Sequence, residues 1–292
     1  MSKLPSFIII GAMKSATTSL QEQLVKQPGI FMSEPKEPNF FSDDDQYAKG
    51  IEWYTALFEP APIGSLQGEA STQYTKLPTY PDTVARIKEH LPNARFIYVM
   101  RQPVDRLISH YIHEWSIGRY RCSLVEAIER YPELIAYGQY AMQLEPYFEA
   151  YGKGAVLSVF FDRLIQYSKP ELERICSFID YNGEAHWIRE QHPSTVSSER
   201  IRRFPLYGAL VGSSVATWLR RTFISPGIRD AIKRRLTMSN RPALCDRLRV
   251  ELEALFDPDL ARVGQLLSTE LNCNNFKMVT AAESFGWDTI NG

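Results

Sequence analysis

The sequence predicts an α/β fold: three layers, built on a mainly parallel sheet with helices on both faces. Three observations carry this reading. Phe7 to Ile10, Arg95 to Met100 and Ala155 to Phe161 are short β-branched and aromatic runs of the kind that form buried strands. Each is followed by residues whose apolar positions recur at helical spacing. Strands alternating with helices imply a parallel sheet covered on both sides. With 292 residues, 44% of them hydrophobic, the chain is long for one domain but within the range of open α/β sheets. No internal repeat marks a boundary, so a single domain over 1–292 is expected.

The elements follow in order. Phe7 to Ile10 ends in Gly11, as a strand entering a turn does. Leu20 and Leu24 lie four apart on the next helix, Ser19 and Glu22 have capping-box spacing, and Pro28-Gly29 stops it. Ile30 to Met32 reads as a second strand, and Glu34 to Gly50, rich in Pro and Asp, as a loop. Val84, Ile87 and Leu91 mark a helix closed by Pro92-Asn93. After the strong strand at Arg95 to Met100, Pro103 opens a helix at a position where its missing N–H costs nothing. Leu107, Ile108, Tyr111, Ile112 and Trp115 form that helix's apolar face. A further helix starts at Ser168, with Glu171 three residues on. From Gln191 to Ser239 the pattern weakens into a basic stretch that includes Arg202, Arg203, Arg220, Arg221, Lys233, Arg234 and Arg235. Helical spacing resumes from Ala243 to Leu267.

Charge and composition exclude several classes. With 33 basic and 34 acidic residues, bulk charge does not point to nucleic acid or a membrane surface. Cys122, Cys176, Cys245 and Cys273 are scattered with no CxxC pair, which leaves zinc and redox motifs without support and fits free thiols in a reducing compartment. The run Phe7 to Ile10 is too short for a signal peptide, and no stretch has the length of a membrane span. A cytoplasmic protein is expected.

The loop Gly11-Ala12-Met13-Lys14-Ser15-Ala16-Thr17-Thr18, between a strand and a helix, has the chemistry of a phosphate site. A helix N-terminus offers free N–H groups and partial positive charge. Lys14 adds a full charge, and Ser15, Thr17, Thr18 and Ser19 add hydroxyls. This gives the fold a P-loop-like nucleotide-binding core. The nucleotide triphosphatase loop itself needs Lys directly before the magnesium-binding hydroxyl; here Lys14 precedes Thr17 by three residues and no Gly-Lys pair occurs. An ordinary strand–helix turn with a solvated lysine has the same letters.

A second constellation narrows the choice. Arg101 sits just past the strongest strand, and Ser109 lies eight residues later, two turns into the next helix. Arg as a two-pronged donor with Ser beside it suits a second phosphate. Singly, Arg101 is equally a strand-end ion-pair partner, and Ser109 a helix residue bonding its own backbone.

Four segments in order resemble a known family. Lys14 to Leu20 is similar to the 5′-phosphosulfate loop, K-x-G-T-T-x-L, of sulfotransferases that use 3′-phosphoadenosine 5′-phosphosulfate (PAPS). Arg101 to Tyr111 resembles their 3′-phosphate motif, R-x-P-x-x-R-x-x-S-x-Y. Lys36-Glu37-Pro38-Asn39-Phe40-Phe41 and Gly50 to Tyr54 resemble the K-E-x-x-F-F and G-x-x-W-Y segments of the heparan sulfate branch. The resemblance implies a PAPS-binding core over about 5–180, with a basic irregular segment and C-terminal helices over about 190–270. It implies PAPS as donor, adenosine 3′,5′-bisphosphate (PAP) as product, and no metal. One departure stands out: Ala16 replaces the usual loop Gly, which leaves donor binding intact if its φ is negative.

Sulfuryl transfer needs an in-line acceptor, a base for its proton and positive charge on the leaving phosphate. Lys14 suits the leaving phosphate. The resemblance implies Glu37 as base, and a carboxylate beside Phe40 and Phe41 would have a raised pKa suited to that work. His113, four residues after Ser109 on the same helix face, is the second candidate, though it could equally pair with Glu114. Arg241, in Ser239-Asn240-Arg241-Pro242, loosely resembles a basic loop that closes over the nucleotide in the family, although a solvated helix-entry loop has the same letters. Phe40, Tyr54, Trp115 and Tyr140 are candidate walls of an acceptor pocket, although aromatic residues at such spacings are more often core. The expectation is transfer to a hydroxyl or amine of a small molecule. A polysaccharide acceptor, a P-loop kinase and an idle nucleotide-binding protein are the alternatives.

Overall fold

A computed structural model describes residues 4–188, 200–201, 237–238 and 241–282. Five parallel strands form the main sheet: β1 Phe7–Gly11, β2 Ile30–Met32, β3 Leu66–Ala70, β4 Arg95–Met100 and β5 Val156–Phe160, in the order β2-β3-β1-β4-β5. The expected α/β architecture is present, with helices on both faces.

The layers follow from side-chain alternation. On β1, Phe7 and Ile9 face one core with Leu20 and Leu24 of helix α1 (Thr17–Val25) and Leu172 and Ile175 of a late helix, Ser168–Phe178. Ile8 and Ile10 face the other core. On β4, Ile97 and Val99 join the first core, while Phe96, Tyr98 and Met100 join the second. That second core is roofed by α4 (Thr83–His90), α5 (Pro103–Ser116), α8 (Tyr140–Tyr151) and the long C-terminal helix Asp246–Leu266. The short helices α2 (Asp44–Tyr47), α3 (Ile51–Ala56), α6 (Leu124–Arg130) and α7 (Glu133–Ala136) fill the connections.

The topology fixes where a ligand goes. The chain leaves β1 toward β2 and β3 on one side and later returns on the other side as β4 and β5. Ligands of open α/β sheets bind outside the strand C-termini at such a switch point. Here that point is the end of β1, where the Gly11–Thr18 loop begins.

Several local expectations change. The sequence reading has no strand at Leu66–Ala70, yet β3 pairs directly with β1. Its Gly68 exists because a Cβ there would meet the Phe7 ring at 2.3 Å. The Glu34–Gly50 loop contains α2, capped by the Asp43 side chain. Helix α1 starts at Thr17, which leaves Ser19 inside its first turn, so the Ser19–Glu22 capping box is not formed. Glu171 likewise caps nothing: its buried carboxylate binds Arg163 at 2.8 Å and also Arg174. The basic residues Arg202 to Arg235 lie outside the described residues. All four cysteines are free thiols.

Candidate active site

A cleft of about 390 Å³ opens at the C-terminal end of β1. Its lining comes from five segments, one after each strand. Met13, Lys14, Ala16, Thr17 and Thr18 come from the loop and the start of α1; Glu37 comes from the segment after β2; Thr72, Gln73 and Lys76 follow β3; Arg101, Ser109, His113, Glu114, Ile117 and Arg119 follow β4, with Phe161 after β5.

The loop after β1 is tightly built. Gly11 has no room for a side chain, since a Cβ would meet Thr75 Oγ1 at 2.1 Å and the Tyr98 ring at 2.8 Å. The Ser15 N–H donates to the Ala12 carbonyl at 3.2 Å, closing a turn in which Lys14 has φ +72°. Ala16 then takes φ +68° as the N-cap of α1. The condition attached to the Gly-to-Ala departure, a negative φ, is therefore not met. Ala16 holds the left-handed geometry that Gly adopts freely, at a strain on the order of 1–2 kcal/mol. The N-terminus of α1, whose first-turn N–H groups find no acceptor within the helix, opens beside Lys14, Thr17 and Thr18. Ser15 departs from expectation. Its side chain is fully buried, its hydroxyl has no hydrogen-bond partner and it does not line the cleft. Ser19 also lies outside the lining.

Arg101 closes the cradle from the β4 side. Its guanidinium donates to the Lys14 carbonyl at 3.3 Å and stacks on Phe161 with 4.5 Å to the ring centroid. Tyr140 fixes the Arg101 backbone from below, donating to its carbonyl at 2.5 Å and accepting from its N–H at 3.3 Å. Ser109, two turns into α5 and only 4% exposed, faces the same space. Arg241 reaches this end of α5, but its guanidinium is bound to Asp105 at 2.9 Å and does not line the cleft.

The candidate bases stand on two other walls. Glu37 is held in a left-handed conformation, φ +56°. Its N–H donates to the Ala70 carbonyl at 3.0 Å, and Thr72 Oγ1 donates to its Oε1 at 3.2 Å. Lys36 Nζ lies 3.7 Å from the same oxygen. Phe40 and Phe41, expected to surround this carboxylate, pack into the core instead. His113 lines the cleft from α5. Its neighbour Glu114 has Oε1 3.6 Å from His110 Nε2, its Oε2 accepts from Arg119 at 3.3 Å, and His113 adds to the electrostatic stabilisation of that carboxylate. Burial works against the Glu114 charge, yet His110 and Arg119 hold its pKa below the ordinary carboxylate range. Burial lowers the pKa of Lys76, opposed by Glu37 and Glu114.

The aromatic acceptor wall is not where the sequence put it. Phe40, Tyr54 and Tyr140 are all 0% exposed and belong to the core. Phe40 stacks on Tyr54 at 4.8 Å, and the Tyr54 hydroxyl donates to buried Glu69 at 2.7 Å. Trp115 packs half-buried against the same core and lies outside the lining. The cleft wall facing the cradle is polar: Thr72, Gln73, Lys76, Glu114 and Arg119. Thr72, Gln73 and Lys76 escape sequence reasoning because they follow β3, a strand whose letters Leu-Gln-Gly-Glu-Ala carry no strand pattern.

A family model described as "Sulfotransferase domain" matches residues 4–204. A stretch of 111 residues, 37% of this chain, is 41% identical to the membrane-associated sulfotransferase kil1 of Dictyostelium discoideum and covers 22% of that protein. Mouse heparan sulfate glucosamine 3-O-sulfotransferase 3B1 is 31% identical over 199 residues, 65% of this chain and 49% of that protein. The chain thus spans about a fifth to a half of the length of these two relatives. A sulfotransferase structure from Alicyclobacillus acidocaldarius has the same fold, with TM-score 0.65 and 24% identity over 92% of this chain and 97% of that one.

Proposed function

The chain belongs to the sulfotransferase domain family, and from that premise we propose that it moves a sulfuryl group from PAPS to a hydroxyl or amine of a small-molecule acceptor. The observation that carries the reading is convergence. Lys14, Thr17 and Thr18, then Arg101 and Ser109, then Glu37 and His113 reach one cleft from three separate parts of the chain.

Bound there, PAPS supplies the sulfuryl group and the phosphate that leaves with the electrons of the broken S–O bond. The protein's share of the work is divided among the residues around the cleft. The N–H groups at the start of α1, with Thr17 and Thr18, hold the 5′ end. Lys14 neutralises negative charge on the leaving side, where stabilisation contributes most in group transfer. Arg101 and Ser109 grip the 3′-phosphate. Glu37, oriented by Thr72, takes the acceptor proton as the acceptor oxygen or nitrogen bonds to sulfur, and PAP is released. His113 is the assisting group on the opposite wall. Arg241, one turn from Ser109 through Asp105, is assigned to the nucleotide side.

The second reading, a polysaccharide acceptor, is favoured by the mouse relative, whose name gives heparan sulfate glucosamine as its substrate. Sulfate transfer from labelled PAPS to a panel of alcohols, phenols and amines, beside desulfated glycosaminoglycan, separates the two. Turnover of small acceptors is expected, and turnover of the polysaccharide alone overturns the first reading.

A further inference from the structure

We propose that Lys36 is a second donor-binding cation, placed on the transferring sulfuryl group itself rather than on the leaving phosphate. The inference rests on the PAPS reading of the cleft and extends it to a residue that reading does not use.

Lys36 Nζ donates to Thr18 Oγ1 at 2.5 Å. It also lies 3.7 Å from Glu37 Oε1. Thr18, at the start of α1, and Glu37, the base in that reading, both line the cleft; Lys36 is outside the lining itself and stands against both of them. In an in-line transfer the sulfur must lie between the leaving phosphate and the acceptor atom, and the base lies beyond that acceptor. A cation bracketed by cradle and base therefore stands beside the path of the sulfuryl group. Its side chain is 29% exposed, and its segment is pinned by the Glu37 N–H on Ala70 O and the Asn39 N–H on Ser71 Oγ at 3.1 Å. Burial lowers its pKa, but Glu37 and Glu22 oppose that loss and favour the charged form. A fixed cation at this spot offsets the charge on the sulfuryl oxygens as the bond to phosphate breaks. It also gives Lys36 a contact with PAPS that PAP, lacking the sulfuryl group, cannot make.

That difference supplies the test. Calorimetry without acceptor measures the affinity of PAPS and of PAP for the wild type, Lys36→Met and Lys36→Arg. Lys36→Met is expected to weaken PAPS at least tenfold while PAP changes less than threefold, and Lys36→Arg to restore most of the PAPS affinity. The same PAPS-selective loss is expected when Lys36→Met is added to Glu37→Gln. Unchanged PAPS affinity overturns the proposal, as does an equal loss for both ligands. A loss that disappears in the Glu37→Gln background assigns Lys36 to Glu37 alone and overturns it too. A wild type that binds neither ligand refutes the underlying PAPS reading instead, which keeps the two failures distinguishable.

Discussion

The Arg101 guanidinium donates to the Lys14 carbonyl at 3.3 Å, tying the end of β4 to the loop that follows β1. Two segments 87 residues apart thereby become one cradle. The bond also preserves the positive φ of Lys14 in a turn that a non-Gly residue enters at a cost.

Arg101→Ala is therefore expected to act on donor binding first. Losing a charged two-pronged donor costs about 1.5–3 kcal/mol, or roughly 10- to 100-fold in KM for PAPS. Lys14→Ala is expected to abolish turnover, because it removes charge from the leaving phosphate. Steady-state kinetics checks the contrast, and an Arg101 variant with unchanged KM contradicts it.

Thr72→Val keeps the shape of the wall and removes the hydroxyl that donates to Glu37. One neutral-to-charged hydrogen bond of about 1.5 kcal/mol predicts a fall of roughly tenfold in kcat. Donor KM is expected to stay within twofold, since Thr72 touches the base and not the cradle. A change confined to KM would contradict the orientation role.

Ala16→Gly restores the residue that fits φ +68°. Relief of left-handed strain, on the order of 1–2 kcal/mol, exceeds the extra entropy of Gly, about 0.5–1 kcal/mol. The variant is expected to gain about 0.5–1 kcal/mol in chemical denaturation and to bind PAP at least as well. A clear loss of stability would contradict the strain assigned to this position.

Glu69 gives a pH signature. Burial, only partly offset by hydrogen bonds from Tyr54, Tyr74 and Ser71, raises its pKa from 4.5 to about 7. Between pH 4.5 and 7 the unfolded chain loses this proton while the folded chain keeps it, so wild-type stability falls as pH rises through that window. Glu69→Gln cannot lose a proton. Its stability relative to the wild type is therefore expected to improve by about 3 kcal/mol from pH 4.5 to 7.5. Parallel stability curves over that range would show that Glu69 titrates normally.

Sequence legibility followed the physics of each element. β1 and β4 are sandwiched between two cores, so both of their faces are apolar and the runs are plain. Lys14, Thr17, Thr18, Arg101 and Ser109 were legible as one group because each follows a plain strand at the switch point of the sheet, and all five line one cleft. β3 was not: Gly68 is demanded by the Phe7 ring and Glu69 is a buried carboxylate, and neither resembles strand chemistry. With β3 went Thr72, Gln73 and Lys76, the wall facing the donor cradle. The aromatic residues Phe40, Tyr54 and Tyr140 misled because the same letters serve a core and a pocket wall, and only burial separates the two.

The measurement that reaches the central claim most directly is the melting temperature of the chain with PAP and, separately, with ATP and magnesium. A ligand held by both the α1 cradle and the Arg101–Ser109 grip stabilises the fold by about 2.7 kcal/mol at a hundred times its dissociation constant. The account predicts a clear upward shift with PAP and little or none with ATP and magnesium. Equal shifts with both, or a shift with ATP and magnesium alone, would contradict it.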